Sequence, residues 1–294
     1  MITSKQAILY SLLTLLIGVA LGLAGSQNSL EVYGYPLFAV AGAWAFGLQF
    51  IVFLPSFLAK TEHFYDLTGS LTYISICLLC LYALPTISIT QWILASMVLF
   101  WSIRLGGFLF WRVQKFGGDD RFEKMKTRFF NFLMAWIIQG LWVYLTMAAA
   151  LAALTSKHSS PISALEVTGI LIWLFGLSVE ITADLQKTIF KLKEENKGKF
   201  IQTGLWSWSR HPNYFGEIVL WSGVALTALE SLSGWQLATL ISPLFVLLLL
   251  TKVSGVPMLE EKAEKKWGNE ESFIRYKEST SKLILWPPSQ KVSE

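Results

Sequence analysis

The densest chemistry in this 294-residue chain lies between Thr203 and Glu217. Arg210, His211, Asn213, Tyr214 and Glu217 crowd together there and run straight into an apolar segment. Pro212 suits the first position of a helix, where its missing N–H costs nothing. From that start Asn213 and Glu217 are i, i+4, and Tyr214 and Glu217 are i, i+3, so all three share one face. Such groups hydrogen-bond, ion-pair and exchange protons. At the mouth of a membrane segment they are costly unless they meet partners or a ligand.

Two further constellations carry polar chemistry. Glu180 and Asp184 are i, i+4 at the end of an apolar run. A carboxylate deep in a span costs about 3 kcal/mol, so the pair is not expected to face lipid. It either meets Arg104 or Arg210, or binds a ligand. Asp66, Ser70 and Tyr73 form an i, i+4, i+7 stripe at the start of another apolar run. Asp66 either caps that helix or, with Tyr73, offers a proton to a bound substrate.

The elements that must position these groups are membrane helices. The chain is 53% hydrophobic and 15% charged, with mean hydropathy +0.50. That composition excludes a soluble domain on a single anchor and predicts an all-α, polytopic helix bundle. Eight apolar segments are legible, at 6–24, 35–58, 68–84, 91–111, 129–153, 163–183, 213–230 and 236–252. The first is long enough to remain as a span rather than be cleaved as a signal. If all eight cross, every Lys and Arg except Lys157 and the in-span Arg104 falls on one side. The positive-inside rule makes that side cytoplasmic, with both termini and the Arg210–Glu217 stretch there. The chain reads as one integral membrane domain, with anchoring helices over 1–60 and the core over 61–288.

Cys77 and Cys80 form a C-x-x-C inside an apolar run, either a redox or metal pair or two small buried hydrophobes. No set of residues suggests a metal centre, and no nucleotide-binding Gly-rich loop follows a strand. His211 reads as a lone histidine without a metal role. Asp119 and Asp120 sit in a loop dense in both signs, where they either cap a short helix or face a phosphate. The lysines of the 187–199 loop suit anionic headgroups or a phosphate-bearing cofactor. The tail beyond Gly255 and Pro257 is amphipathic and predicts a helix at the cytoplasmic face over the site.

Several of these pieces together resemble the steroid 5-alpha-reductase-like membrane family, and within it the DUF1295-type group. They are Glu180-x-x-x-Asp184-x-Gln186, Gly204-Leu205-Trp206, Arg210 through Glu217, and Lys252-Val253-Ser254-Gly255-Val256-Pro257 with Glu260-Glu261. Tyr276 and the terminal prolines match the family's ending, and the resemblance spans roughly residues 60 to 288. It implies an NADPH-dependent reductase of an activated C=C bond in a steroid-, isoprenoid- or lipid-like substrate. Asp184, Asn213, Tyr214 and Glu217 would hold NADPH, with Glu180, Arg210 and Tyr276 beside them. Asn and carboxylates suit ribose and nicotinamide amide groups, and Lys and Arg suit phosphates. Hydride transfer also needs a polarised acceptor and a proton. The substrate half departs from the pattern: Asp66 falls near the family's Glu, and Trp101 near its Tyr. A Trp cannot act as that acid, which leaves Tyr73 as the substitute donor. Arg-His-Pro-x-Tyr-x-Gly also occurs in isoprenylcysteine and phospholipid methyltransferases. The alternatives are therefore a methyltransferase using S-adenosylmethionine and a non-catalytic lipid-binding protein. The expected partners are a lipophilic small molecule and membrane lipid, not nucleic acid; oligomeric state is not legible.

Overall fold

The computed structural model describes residues 2–117, 122–158 and 162–288. Asp119 and Asp120 lie outside the described residues. The chain divides into two compact units. One comprises residues up to Val167 with Val224–Ser242; the other comprises Thr168–Gly223 with the chain from Pro243 onward.

The helices are α1 (Ser4–Gly25), α2 (Leu37–Leu58), α3 (Tyr65–Ala83), α4 (Ile89–Phe116), α5 (Phe129–Thr146) and α6 (Ala148–Thr155). They continue with α7 (Ala164–Leu192), α8 (Pro212–Ala228), α9 (Ser242–Leu248), α10 (Gly255–Trp267) and α11 (Glu271–Ser279). A two-residue hairpin at Glu31–Val32 and Tyr35–Pro36 is the one sheet among the described residues. The protein is thus an all-α, multi-pass integral membrane bundle. Among the described residues, seven helical stretches are long and apolar enough to cross a membrane by length and composition. The remaining segment, 213–230, forms α8, which has 17 residues. Its length of about 26 Å falls short of a hydrocarbon core of about 30 Å.

In the first unit the helix ends alternate between two sets. At one end Leu30 N–H donates to the Thr155 carbonyl at 2.7 Å, and Lys157 N–H donates to Asn28 O at 3.0 Å. There too Gln91 reaches the Leu154 carbonyl at 3.0 Å, and Asn28 meets Ser233 at 2.8 Å. At the other end Lys126 pairs with the buried Glu62 at 3.0 Å. Asn131 there holds the carbonyl of Ile2 at 2.9 Å. Consecutive helices therefore run in opposite directions, as alternating crossings require. The fifth apolar segment is not one span. It breaks at Met147, and all eight residues of α6 are buried. Five of those eight are alanines, and their small side chains let neighbouring helices close around it.

In the second unit α7 and α8 touch backbone to backbone. A Cβ on Gly216 would stand 2.6 Å from both Glu180 N and Gly176 O. One on Gly176 would stand 2.5 Å from Leu220 N, and one on Gly223 would stand 2.5 Å from Trp173 N. Gly216 and Gly223 are i, i+7, so one face of α8 carries a glycine at each close approach. The C-terminal tail forms two short helices, α10 and α11, rather than one.

Candidate functional site

α7 overruns its apolar stretch by more than two turns and ends at Leu192. The overrun is held from one side by the 203–210 segment. Ala183, Ile201 and Trp206 form a small buried core with Phe190 and Leu205 packed on it. Trp206 Nε1 donates to the Ala183 carbonyl at 3.0 Å. Leu205 N–H donates to Gln186 Oε1 at 2.9 Å. The Lys187 ammonium lies 4.3 Å from the centroid of the Trp206 ring. Gly204 takes φ +63° in contact with the Gln186 side chain, a conformation and a spacing that only glycine tolerates without strain. Gln186 and the Gly204-Leu205-Trp206 tripeptide are thus one structural joint that fixes where the chain enters α8.

That joint is sealed from the C-terminal side. The Tyr276 hydroxyl, on α11, donates to the Trp206 carbonyl at 2.6 Å. Its burial raises the phenol's pKa above the ordinary value, so it stays a donor at neutral pH. Tyr276 therefore clamps the backbone of the motif while its side chain lines a cleft beside it. Arg210 N–H donates to Ser281 O at 2.8 Å, and Ser209 Oγ donates to Leu283 O at 2.7 Å.

Glu260 on α10 is the hub of the charged part. Arg210 Nη2 lies 3.2 Å from its Oε2 and His211 Nε2 lies 2.9 Å from its Oε1. So Arg210 meets Glu260, a partner not weighed for it from sequence. His211 is buried and stacks on Tyr214 at 5.8 Å between centroids with 11° between planes. Burial pushes its imidazole below the usual histidine range, with Arg210 and Lys187 adding to the effect and Glu260 opposing it. Nδ1 of His211 and Nε of Arg210 are buried and make no hydrogen bond with a described residue. Tyr214 is seated by Gly255, where a Cβ would come within 2.8 Å of both the Leu250 carbonyl and the Tyr214 ring. This contact accounts for the glycine after the irregular turn Leu249–Val253.

Asn213, Tyr214 and Glu217 occupy the first turns of α8 and are half-buried. Glu180 is buried on α7 where α8 approaches most closely, and Asp184 is half-buried one turn further on. The Asn213 side chain makes no hydrogen bond with a described residue. Beside Tyr276 opens a cleft of about 440 Å³ lined by Gln202, Ser207, Ser272, Arg275, Ser279 and Thr280 among others. His211 and Glu260 were not singled out as site residues from sequence. The signal for Glu260 was present in its place in a quoted motif. That for His211 was its place in the Arg210–Glu217 motif.

Asp66 and Tyr73 belong to the first unit. α3 begins at Tyr65, its N-cap is Phe64, and Asp66 lies inside the first turn. It complements the helix dipole there rather than capping. Tyr73 is buried and meets Trp101 edge-on, with centroids 5.3 Å apart at 88°. Cys77 and Cys80 are buried free thiols in α3.

Fold and site together define a multi-pass membrane helix bundle with a polar cluster where two glycine-packed helices emerge. The chain belongs to the DUF1295 family, described as a protein of unknown function, whose model matches residues 52–280. The resemblance to the steroid 5-alpha-reductase-like proteins holds at the level of shorter stretches as well. Over 72 residues, 24% of this chain and 28% of the relative, it is 35% identical to bovine (Bos taurus) 3-oxo-5-alpha-steroid 4-dehydrogenase 1. Over 96 residues, 32% of this chain and 34% of the relative, it is 34% identical to the probable O-methyltransferase ustE of Ustilaginoidea virens. The chain thus matches about a third of the length of these curated relatives. No solved structure matches it.

Proposed function

We propose that the protein is a membrane reductase that takes NADPH at the α7–α8 mouth and reduces an activated C=C bond in a lipophilic substrate. The observation that carries this reading is the Asn213 amide. It is half-buried, unbonded to any described residue, and held within a turn of Glu217 on the helix that touches Glu180. An amide with both a free donor and a free acceptor matches the carboxamide and ribose hydroxyls of a nicotinamide nucleotide. Glu180, Asp184, Tyr214 and Glu217 line the same helix ends, while Arg210 is neutralised by Glu260. The polar cleft beside Tyr276, with Arg275 and its hydroxyls, offers room for phosphate groups. NADPH supplies the hydride. Residues of α7 and α8 bind and orient it; the acceptor also needs a proton, a role that the family resemblance leaves to Tyr73 or Asp66. The similarity to a steroid dehydrogenase supports an oxidoreductase. The basic 187–199 loop supports a cytoplasmic cofactor face.

The similarity to an O-methyltransferase favours a second reading, in which the same cluster holds S-adenosylmethionine. Thermal unfolding of the purified protein separates the two. NADPH at about 100 times its Kd should add about 2.7 kcal/mol of stability. Asn213→Ala and Glu217→Ala should each abolish that gain. Stabilisation by S-adenosylmethionine and not by NADPH would replace this proposal with the methyltransferase reading.

A further inference from the structure

After α11 the chain does not trail away. Residues 281–286 run beside the Arg210 motif as an extended strap with a two-residue period. Ser281, Leu283 and Leu285 are half-buried, while Lys282, Ile284 and Trp286 face outward. The inward side is fastened by the bonds from Arg210 N–H to Ser281 O and from Ser209 Oγ to Leu283 O. A third bond runs from Trp286 N–H to Trp208 O at 3.2 Å. That last bond sets Trp208 and Trp286 next to each other, 45% and 70% exposed, with Ile284 59% exposed. Two indoles and an isoleucine unpartnered in water are unfavourable. Indoles with a flanking lysine are the composition of a membrane–water interface, where the lysine stem lies along apolar surface and its ammonium reaches the headgroups. Trp208 precedes by four residues the proline that starts α8, so the strap runs past the mouth of a membrane-entering helix. Lys187, Lys191, Lys193, Lys197 and Lys199 stand in the same unit.

We propose that the outward face of this strap, Lys282, Ile284 and Trp286 with Trp208, seats in an anionic headgroup layer of the surrounding bilayer. The lipid holds the strap, and the strap holds the backbone of Ser209 and Arg210. The site is thereby coupled to the composition of its own membrane. This inference goes beyond the reductase reading and does not depend on which ligand the site takes.

The test uses the full chain in nanodiscs of phosphatidylcholine alone or mixed with phosphatidylserine. A nitroxide on Ile284→Cys should collide more with oxygen than with a water-soluble nickel chelate and report a depth at the headgroups. The buried native thiols do not compete for the label. A label as accessible to the nickel chelate as one in bulk water would overturn the proposal. Dipolar broadening between labels would overturn it in favour of a second copy of this chain. Hydrogen exchange tests the coupling. Peptides covering Arg210 should exchange several-fold faster in Trp286→Ala, and in Lys282→Glu with phosphatidylserine present. Unchanged exchange in both would refute the link between lipid and site.

Discussion

Glu260 holds a guanidinium and an imidazole at once, and its two oxygens are divided between them. Because burial lowers the His211 pKa, the imidazole is neutral at pH 7 and donates Nε2–H to Glu260. The unfolded chain regains an ordinary histidine, near pH 6.5. The contribution is therefore fully present above that pH and is lost on acidification, as the unfolded state takes up a proton that the folded one resists. The loss is at most about 1.4 kcal/mol per pH unit. Thermal unfolding between pH 7.5 and 5 should show the decline in the native protein and a flatter profile in His211→Gln, which keeps a donor for Glu260. Identical profiles would show that His211 does not titrate on unfolding. Asn213, Tyr214 and Glu217 were legible as one face because helical spacing alone groups them. Tyr276 was legible as a neighbour of the site but not as a backbone clamp, since its acceptor, Trp206, lies 70 residues away.

At the scale of elements, the site exists because α7 and α8 approach within backbone contact. The obstructing atoms at Gly216 are a main-chain nitrogen and oxygen, which cannot rotate aside. Gly216→Ala should therefore destabilise the protein by about 1–3 kcal/mol through overpacking and weaken ligand binding by displacing Glu180 from Asn213 and Glu217. Gly47→Ala on α2, where an added Cβ meets nothing, should be neutral or gain about 0.5–1 kcal/mol of helix stability. Equal melting temperatures for the two variants would show that the close approach is not needed. Helix identities were readable from apolar run length. The break at Met147 was not, because residues 129–153 carry no charge and hydropathy does not register a kink between two buried helices. Nor was the overrun of α7, whose polar residues end a hydropathy segment while remaining good helix formers.

For the whole molecule, charge segregation and the alternating helix ends of the first unit point to one topology. Lys60 and Lys197 should lie on the cytoplasmic side and Lys157 opposite. Single-cysteine labelling checks this: Lys157→Cys should react in intact cells, and Lys60→Cys and Lys197→Cys only after permeabilisation. Labelling of Lys60→Cys from outside would invert the orientation and with it the side proposed for the cofactor.

By itself the sequence determined that this is a helical membrane protein with its polar chemistry at the ends of α7 and α8, and it carried the motifs of the DUF1295 family. Composition, run length and helical spacing are local properties, so they survive without a structure. Only the tertiary structure decided what those polar groups do for one another. It paired Arg210 and His211 with Glu260, turned Tyr276 onto the Trp206 carbonyl, and left the Asn213 amide without a hydrogen bond to a described residue. Each of those outcomes depends on residues from separate helices meeting, and no periodicity along one helix encodes which partner arrives.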